Sequence, residues 1–343
     1  MKKFVYTTAL FLAPFLLLVA STLFYSKDKG DLLRIGFLKA DNPYREIYQS
    51  EFNRPIYYDT LSRVNTQKKS SYTVLIFGDS FSAQGCFSYQ NYLTQSDSIS
   101  VLYCDINKYG NSIDMLYGAL NDKLFDSIEV RYVVLESVER DFAKRGYELN
   151  KQTKISNFKK PVSHSGKSNY NTSFPPPELV KFPLYSLLYH FSDNAFLSDV
   201  YQVKMTRSLF SGSRENTLLF SNLDLKNMDR YNNLEAVTNL NKELNIVSKK
   251  LQDKSIKLIV LPSPDKFDLY YEYMTNKANY TKPLFFDLMK QMDKHYGYID
   301  SKAILGQAIK TKKDIYFFDD THWSPWGSQL IAKEISNMIQ RKK

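Results

Sequence analysis

The chain has 343 residues and a mass of 40.0 kDa, enough for one large domain or two smaller ones and far more than a disulfide-stapled mini-protein needs. Hydrophobic residues make up 43% and charged residues 24%, which excludes global disorder and a polytopic membrane protein. The 46 Lys and Arg against 36 Asp and Glu leave a net charge of +10, but no dense basic block carries it, so it reads as solvated surface and argues against nucleic acid.

In chain order, Met1-Lys2-Lys3 precedes an uncharged stretch from Phe4 to Tyr25. As a helix that stretch would span about 33 Å, enough for a hydrocarbon core of about 30 Å. It predicts a transmembrane anchor over residues 1–26, preferred to a cleaved signal peptide, whose apolar region is about 7–15 residues long. Lys2 and Lys3 favour a cytoplasmic N-terminus, which puts the rest of the chain outside the cytoplasm at the cell (inner) membrane. Residues 27–70 are mixed and polar, with Pro43 and Pro55, and read as a stalk that packs partly on the domain.

A domain follows from 71 to 343. Apolar runs at 73–77, 99–103, 132–135 and 257–261 read as buried strands; the segments 112–125, 234–252, 283–294 and 325–340 read as helices. Strands alternating with helices predict an α/β fold, a three-layer doubly wound parallel sheet. The alternation lapses over about 146–230, where Lys159-Lys160-Pro161, Ser163-His-Ser-Gly166 and Pro175-Pro-Pro177 predict an irregular insertion. Two cysteines, Cys86 and Cys104, exclude a disulfide framework and a Cys-ligated zinc site and leave one bridge open.

Two clusters carry chemistry. Gly78-Asp79-Ser80-Phe81-Ser82 ends the first strand, where open α/β sheets place their ligand sites. There Ser80 could be a nucleophile at the start of a helix, or Asp79 or Ser80 could merely cap that helix. Near the C-terminus, Phe318-Asp-Asp-Thr-His-Trp-Ser-Pro-Trp-Gly327 contains one of four histidines. A serine hydroxyl needs a base, and a neutral imidazole needs a carboxylate to fix its tautomer. His322 supplies the base, and Asp320 or Asp319 the acid. His164, His190 and His295 read as ordinary surface or packing histidines.

These motifs resemble the SGNH/GDSL hydrolase-like superfamily and, through Asp320-Thr-His-Trp323 with Ser324-Pro325 and Gly327, its alginate O-acetyltransferase AlgJ/AlgX-like branch. The branch's acid maps onto Asp320 and the wider superfamily's onto Asp319, and Asp320 is preferred. Val133-Val-Leu-Glu-Ser-Val-Glu-Arg140 and Pro262-Ser-Pro-Asp-Lys-Phe-Asp-Leu-Tyr270 are similar to two further branch segments. The resemblance makes Lys266 either a substrate contact or a solvated loop lysine. Glu139 and Arg140 become either a structural ion pair, which is preferred, or substrate-site residues, and Gly110 and Asn111 become oxyanion donors. It spans about 72–145 and 235–343, with Ser80 preceding the Asp-Thr-His segment as in the wider superfamily; the branch enzymes have the permuted order.

The resemblance implies a membrane-anchored, extracytoplasmic O-acyltransferase, an O-acetyltransferase by preference, that modifies a polysaccharide through an acyl-Ser80 intermediate without a cofactor or metal. It also implies a multispanning membrane-bound O-acyltransferase as donor partner, because acetyl-CoA is not exported. A carbohydrate esterase with the same triad and a non-catalytic polysaccharide assembly protein are the alternatives.

Overall fold

The computed structural model describes residues 1–21, 30–39, 50–64, 69–95, 99–106, 110–154, 177–196 and 198–340. Eight strands occur among them: β1 (Asp59–Thr60), β2 (Ser70–Gly78), β3 (Val101–Asp105), β4 (Ile128–Val138), β5 (Val200–Lys204), β6 (Thr217–Ser221), β7 (Lys257–Ser263) and β8 (Gly297–Tyr298). Six of them form one sheet in the order β1-β3-β2-β4-β7-β8, and every pairing in it is parallel. This is the expected α/β parallel sheet.

Its central strands are apolar on both faces because helices cover both. Val74, Ile76, Val101, Tyr103, Val134, Ile259 and Leu261 pack with Tyr89, Leu93, Leu305, Ile331 and Ile335. The alternate positions, Leu75, Phe77, Leu102, Cys104, Val133, Leu135, Leu258 and Val260, pack with Ile113, Leu116, Phe142, Leu240, Leu244 and Val247. The period of two along each strand sorts these residues into two layers. The chain leaving β2 goes to the first layer and the chain leaving β4 to the second. The carboxyl ends of these neighbours therefore make a topological switch point, where a doubly wound sheet opens a crevice.

Local chemistry sets the helix ends. Asn233 opens the helix Leu234–Gln252 by accepting the Ala236 N–H, and Asn111 opens Ser112–Asn121 by accepting the Ile113 N–H, both standard caps. The helix expected over 112–125 breaks into Ser112–Asn121 and Leu124–Ser127. Lys123 lies between them at φ 54°, a left-handed conformation that interrupts the hydrogen-bond ladder.

Several expectations are corrected. The N-terminal segment is a helix, Lys2–Ser21, with Pro14 inside it; residues 22–25 of the expected crossing lie outside the described residues. Among the described residues no helix is long and apolar enough to cross a membrane.

Residues of the stalk pack on the domain. Helix Asp31–Ile35 buries Leu32 and Leu33, and β1 extends the sheet. The insertion is more regular than expected: it holds the helix Pro177–Leu188 and the antiparallel hairpin β5–β6. Its segments 159–161, 163–166 and 175–176 lie outside the described residues. Cys86 and Cys104 form no disulfide bond.

Candidate active site

Ser80 sits in a tight turn after β2. No helix follows directly; the chain makes the 3₁₀ turn Gly85–Phe87 and then the helix Tyr89–Leu93. The presentation expected from a helix N-terminus is replaced by a polar tie across three strand ends. Glu136, buried on β4, accepts the Asp79 N–H at 2.8 Å, the Ser82 hydroxyl at 2.8 Å and the Ser263 hydroxyl of β7 at 2.7 Å. The Asp79 carboxylate accepts the Val138 N–H and an Arg145 guanidinium N–H, both at 2.9 Å, and the Phe81 N–H at 3.3 Å.

Burial pushes the Glu136 carboxyl well above its ordinary range, and the charge of Asp79 adds to this. Burial acts the same way on Asp79, but Arg145 and the hydrogen bonds from Val138 and Phe81 outweigh it and hold that carboxyl low. The turn is thus fixed by an ionised Asp79 beside a Glu136 that resists ionisation. Gly78 is required here: a Cβ would lie 2.0 Å from Ser82 Oγ and 3.0 Å from Glu136 Oε2.

Ser80 itself is half-buried. Among the described residues neither its hydroxyl nor its N–H makes a hydrogen bond, so both remain available to a reacting carbonyl group.

His322 is held by its own loop. The Phe317 N–H donates to the His322 carbonyl at 3.1 Å, and Tyr316 bridges to Trp323. The Asp320 Oδ1 lies 2.5 Å from His322 Nδ1 and accepts the His322 N–H at 3.2 Å. The side chain of His322 is 21% exposed, yet its Nε2 is buried and has no partner. Burial alone would push the imidazole's pKa down, but Asp320, through its charge and its hydrogen bond, and the charge of Asp31 raise it above the ordinary histidine value.

The two clusters meet through aromatic packing. The Phe81 ring, one residue after Ser80, lies 4.8 Å from the His322 ring and 4.8 Å from the buried Trp323 ring. Ser80 and His322 make no hydrogen bond to each other; such contacts commonly tighten only in the substrate complex.

Of the two candidate acids, geometry gives Asp320 to the imidazole. Asp319 faces away: its carboxylate accepts the Gly30 N–H at 3.1 Å and its carbonyl the Leu32 N–H at 3.1 Å. Gly30 must be glycine, because a Cβ would lie 2.0 Å from the Asp319 carbonyl oxygen.

The other candidates take different roles. Lys266 is neither a solvated loop lysine nor open to a ligand. It is 1% exposed, and its Nζ donates to the carbonyls of Phe317 at 2.7 Å, Phe318 at 2.7 Å and Asp320 at 3.1 Å. Burial pulls its pKa down to about 8 against the nearby charges of Asp319, Asp320 and Asp31.

Arg140 pairs with Asp265 and, at 3.1 Å, with Asp224, and Glu139 accepts the Asp265 N–H at 3.0 Å. Both belong to a buried ionic cluster that ties β4 to the segment after β7. Gly110 spends its N–H on the Ile106 carbonyl at 2.8 Å. The Asn111 side chain accepts the Ile113 N–H and donates to the Arg145 carbonyl at 2.8 Å. The Gly110 N–H is thus taken up within its own loop and Asn111 serves as a helix cap, whereas the Ser80 N–H makes no hydrogen bond among the described residues.

Lys266 supports one prediction. Lys266→Met leaves three carbonyls of the histidine loop without a donor, and should destabilise the protein by about 2–4 kcal/mol in denaturant unfolding. A loss below about 0.5 kcal/mol would show that the loop holds without it.

Sequence reasoning missed Glu136, Arg145, Thr321 and Asp31. Glu136 was the most legible of these, an acid inside the apolar run of β4, where a charge needs a buried partner. Asp31 gave no signal. Among the described residues, Asp31, Asp320 and His322 also form the one group with metal-ligand composition, their ligand atoms lying within 4.8 Å of one another. Here Asp31 is engaged by Thr321 and His322 Nδ1 by Asp320, as in an acid–imidazole pair.

Residues 218–343 match the family model described as SGNH hydrolase-like domain, acetyltransferase AlgX. The match takes in Lys266, Asp320 and His322 but not Ser80. No curated protein and no solved structure matches the chain. Over residues 218–343, therefore, the chain is similar to an SGNH hydrolase-like domain of the acetyltransferase AlgX kind.

Proposed function

We propose that this protein is a membrane-anchored, extracytoplasmic O-acyltransferase, by preference an O-acetyltransferase, that esterifies hydroxyls of a cell-surface or secreted polysaccharide. The observation that carries the reading is the Asp320–His322 pair at 2.5 Å, with its second imidazole nitrogen buried and unpartnered beside the aromatic ring that follows Ser80. The match of residues 218–343 to the SGNH hydrolase-like domain described as acetyltransferase AlgX supports the acetyl-transfer reading.

In this reading the Ser80 hydroxyl attacks the donor's acyl carbon and gives its proton to His322 Nε2. The Ser80 N–H stabilises the resulting oxyanion. As the tetrahedral intermediate collapses, the donor's leaving group departs with that proton and acyl-Ser80 remains. A sugar hydroxyl then gives its proton to Nε2 and attacks the acyl-Ser80 carbonyl. Collapse of the second intermediate expels Ser80, which recovers the proton, and leaves an O-acyl sugar. No cofactor enters these steps. Asp320 stabilises the imidazolium and fixes its tautomer.

The donor's acyl group has to cross the membrane, and a multispanning membrane-bound O-acyltransferase is the partner of suitable chemistry. The helix Lys2–Ser21 together with the uncharged residues to Tyr25 would keep the domain beside it.

The test is acyl-group analysis of surface polysaccharide from cells carrying wild type or Ser80→Ala. Loss of acyl groups in the mutant is expected. A gain would identify a deacetylase using water in place of the sugar hydroxyl, and no change would refute both.

A further inference from the structure

The segment that follows the N-terminal helix in sequence brings a second carboxylate to the imidazole. Asp31 accepts the Thr321 N–H at 3.0 Å and the Thr321 hydroxyl at 2.8 Å. Its carboxylate, that of Asp320 and a His322 nitrogen lie within 4.8 Å of one another. The neighbours of Asp31 bind the same loop, since Gly30 and Leu32 both donate to Asp319. Residues 30–32 thus clasp residues 319–321 through four hydrogen bonds, with Leu32 and Leu33 buried beneath.

We propose that Asp31 is a positioning residue of this site: it holds the loop so that Asp320 faces His322 Nδ1, and its charge supports the imidazolium formed during acyl transfer. The inference rests on the proposed Ser80–His322–Asp320 chemistry. Asp31 spends both oxygens on Thr321, so it acts through the loop and through its field and does not touch the reacting atoms. Only eight residues, 22–29, separate this clasp from the helix Lys2–Ser21 in sequence. The site is complete only when the membrane-proximal segment is docked, which couples the anchor to catalysis.

The charges around His322 decide what to measure. Burial lowers its pKa, Asp320 and Asp31 raise it, and Arg140 lowers it. Lys266 lies behind the loop within the field of Asp319, Asp320, Asp31 and Asp224. Burial and the charge of Asp320 raise the Asp31 carboxyl above its ordinary value, against His322 and the bonds from Thr321; where Asp31 is ionised, removing its charge lowers the imidazole pKa, and the neutral, base-competent form persists to lower pH.

The experiment is an NMR titration of the His322 imidazole in the full chain, wild type against Asp31→Asn, with the signal assigned by its loss in His322→Gln. The expected result is a fall of about one unit or more. The acid limb of kcat/KM for an activated acetyl ester should move to lower pH by the same amount. Thr321→Val keeps both carboxylates but removes one bond to Asp31. It should leave the His322 titration within about 0.3 unit of wild type and lower kcat about fivefold or more with KM unchanged.

An Asp31→Asn imidazole that titrates within about 0.3 unit of wild type, with the other three histidines unmoved, overturns the proposal. So does a Thr321→Val enzyme with wild-type kcat. If Asp31→Asn shifts the titration while wild type turns over no ester, the electrostatic role of Asp31 stands and the acyl-transfer reading falls.

Discussion

Ser80→Ala and His322→Ala should each lower turnover of a small activated acetyl ester by about 10³-fold or more, and the double mutant should be little worse than either single one. Nucleophile and base act as one unit, because a hydroxyl whose proton has nowhere to go gains nothing from a perfect position. The structure separates this loss from damage to the fold. Ser80 makes no side-chain hydrogen bond among the described residues, so Ser80→Ala should unfold at nearly the wild-type denaturant concentration. His322→Ala removes the ring packed at 4.8 Å on Phe81 and leaves Asp320 without its imidazole, so a cost of about 1–3 kcal/mol is expected alongside the kinetic loss. If both single variants kept more than about a tenth of wild-type turnover while folded, the assignment would be wrong.

Asp320→Asn should be nearly as damaging, about 10³–10⁴-fold in kcat, whereas Asp319→Asn should stay within about tenfold. An amide at position 320 can donate to Nδ1, which turns the imidazole into the tautomer whose Nε2 carries the proton and cannot take one from Ser80. At position 319 the amide oxygen can still accept the Gly30 N–H, now held at 3.1 Å. A pH profile gives an independent check. Asp320 is the main charge raising the His322 pKa, so activity in wild type is lost as pH falls through a value above the ordinary histidine one. The residual activity of Asp320→Asn should persist to lower pH. The reverse ranking of the two variants would move the acid's role to Asp319.

The second prediction concerns residues that lie close together in sequence, which is why the acid–histidine pair was legible. An acid two positions from a histidine in one loop can reach the imidazole with few alternatives, and the pair Asp320–His322 does so. The four central strands were legible for a similar reason. A run such as Thr73 to Phe77, apolar at consecutive positions, suits a strand covered by helices on both faces.

Where competition between distant groups decided the outcome, sequence reasoning failed. Lys266 reads as a substrate contact or a solvated loop lysine until carbonyls 51 to 54 residues away surround its ammonium. Asn111 could be an oxyanion donor or a helix cap, and only the position of the Ile113 N–H and the Arg145 carbonyl settles it as a cap.

The sequence by itself determined the α/β class, the strand-end placement of Ser80 and the acid–histidine pair. Each follows from the order of residues over a few positions, through side-chain periodicity and short-range reach. Only the tertiary structure decided that Glu136 ties β2, β4 and β7 together under the Ser80 turn, and that Asp31, 290 residues before Thr321, closes the histidine loop. Contacts of that separation depend on which surfaces the hydrophobic layers bring together, and burial then changes the chemistry. Away from water a carboxylate or ammonium must find donors or acceptors wherever the chain supplies them, and their sequence positions give no notice of it.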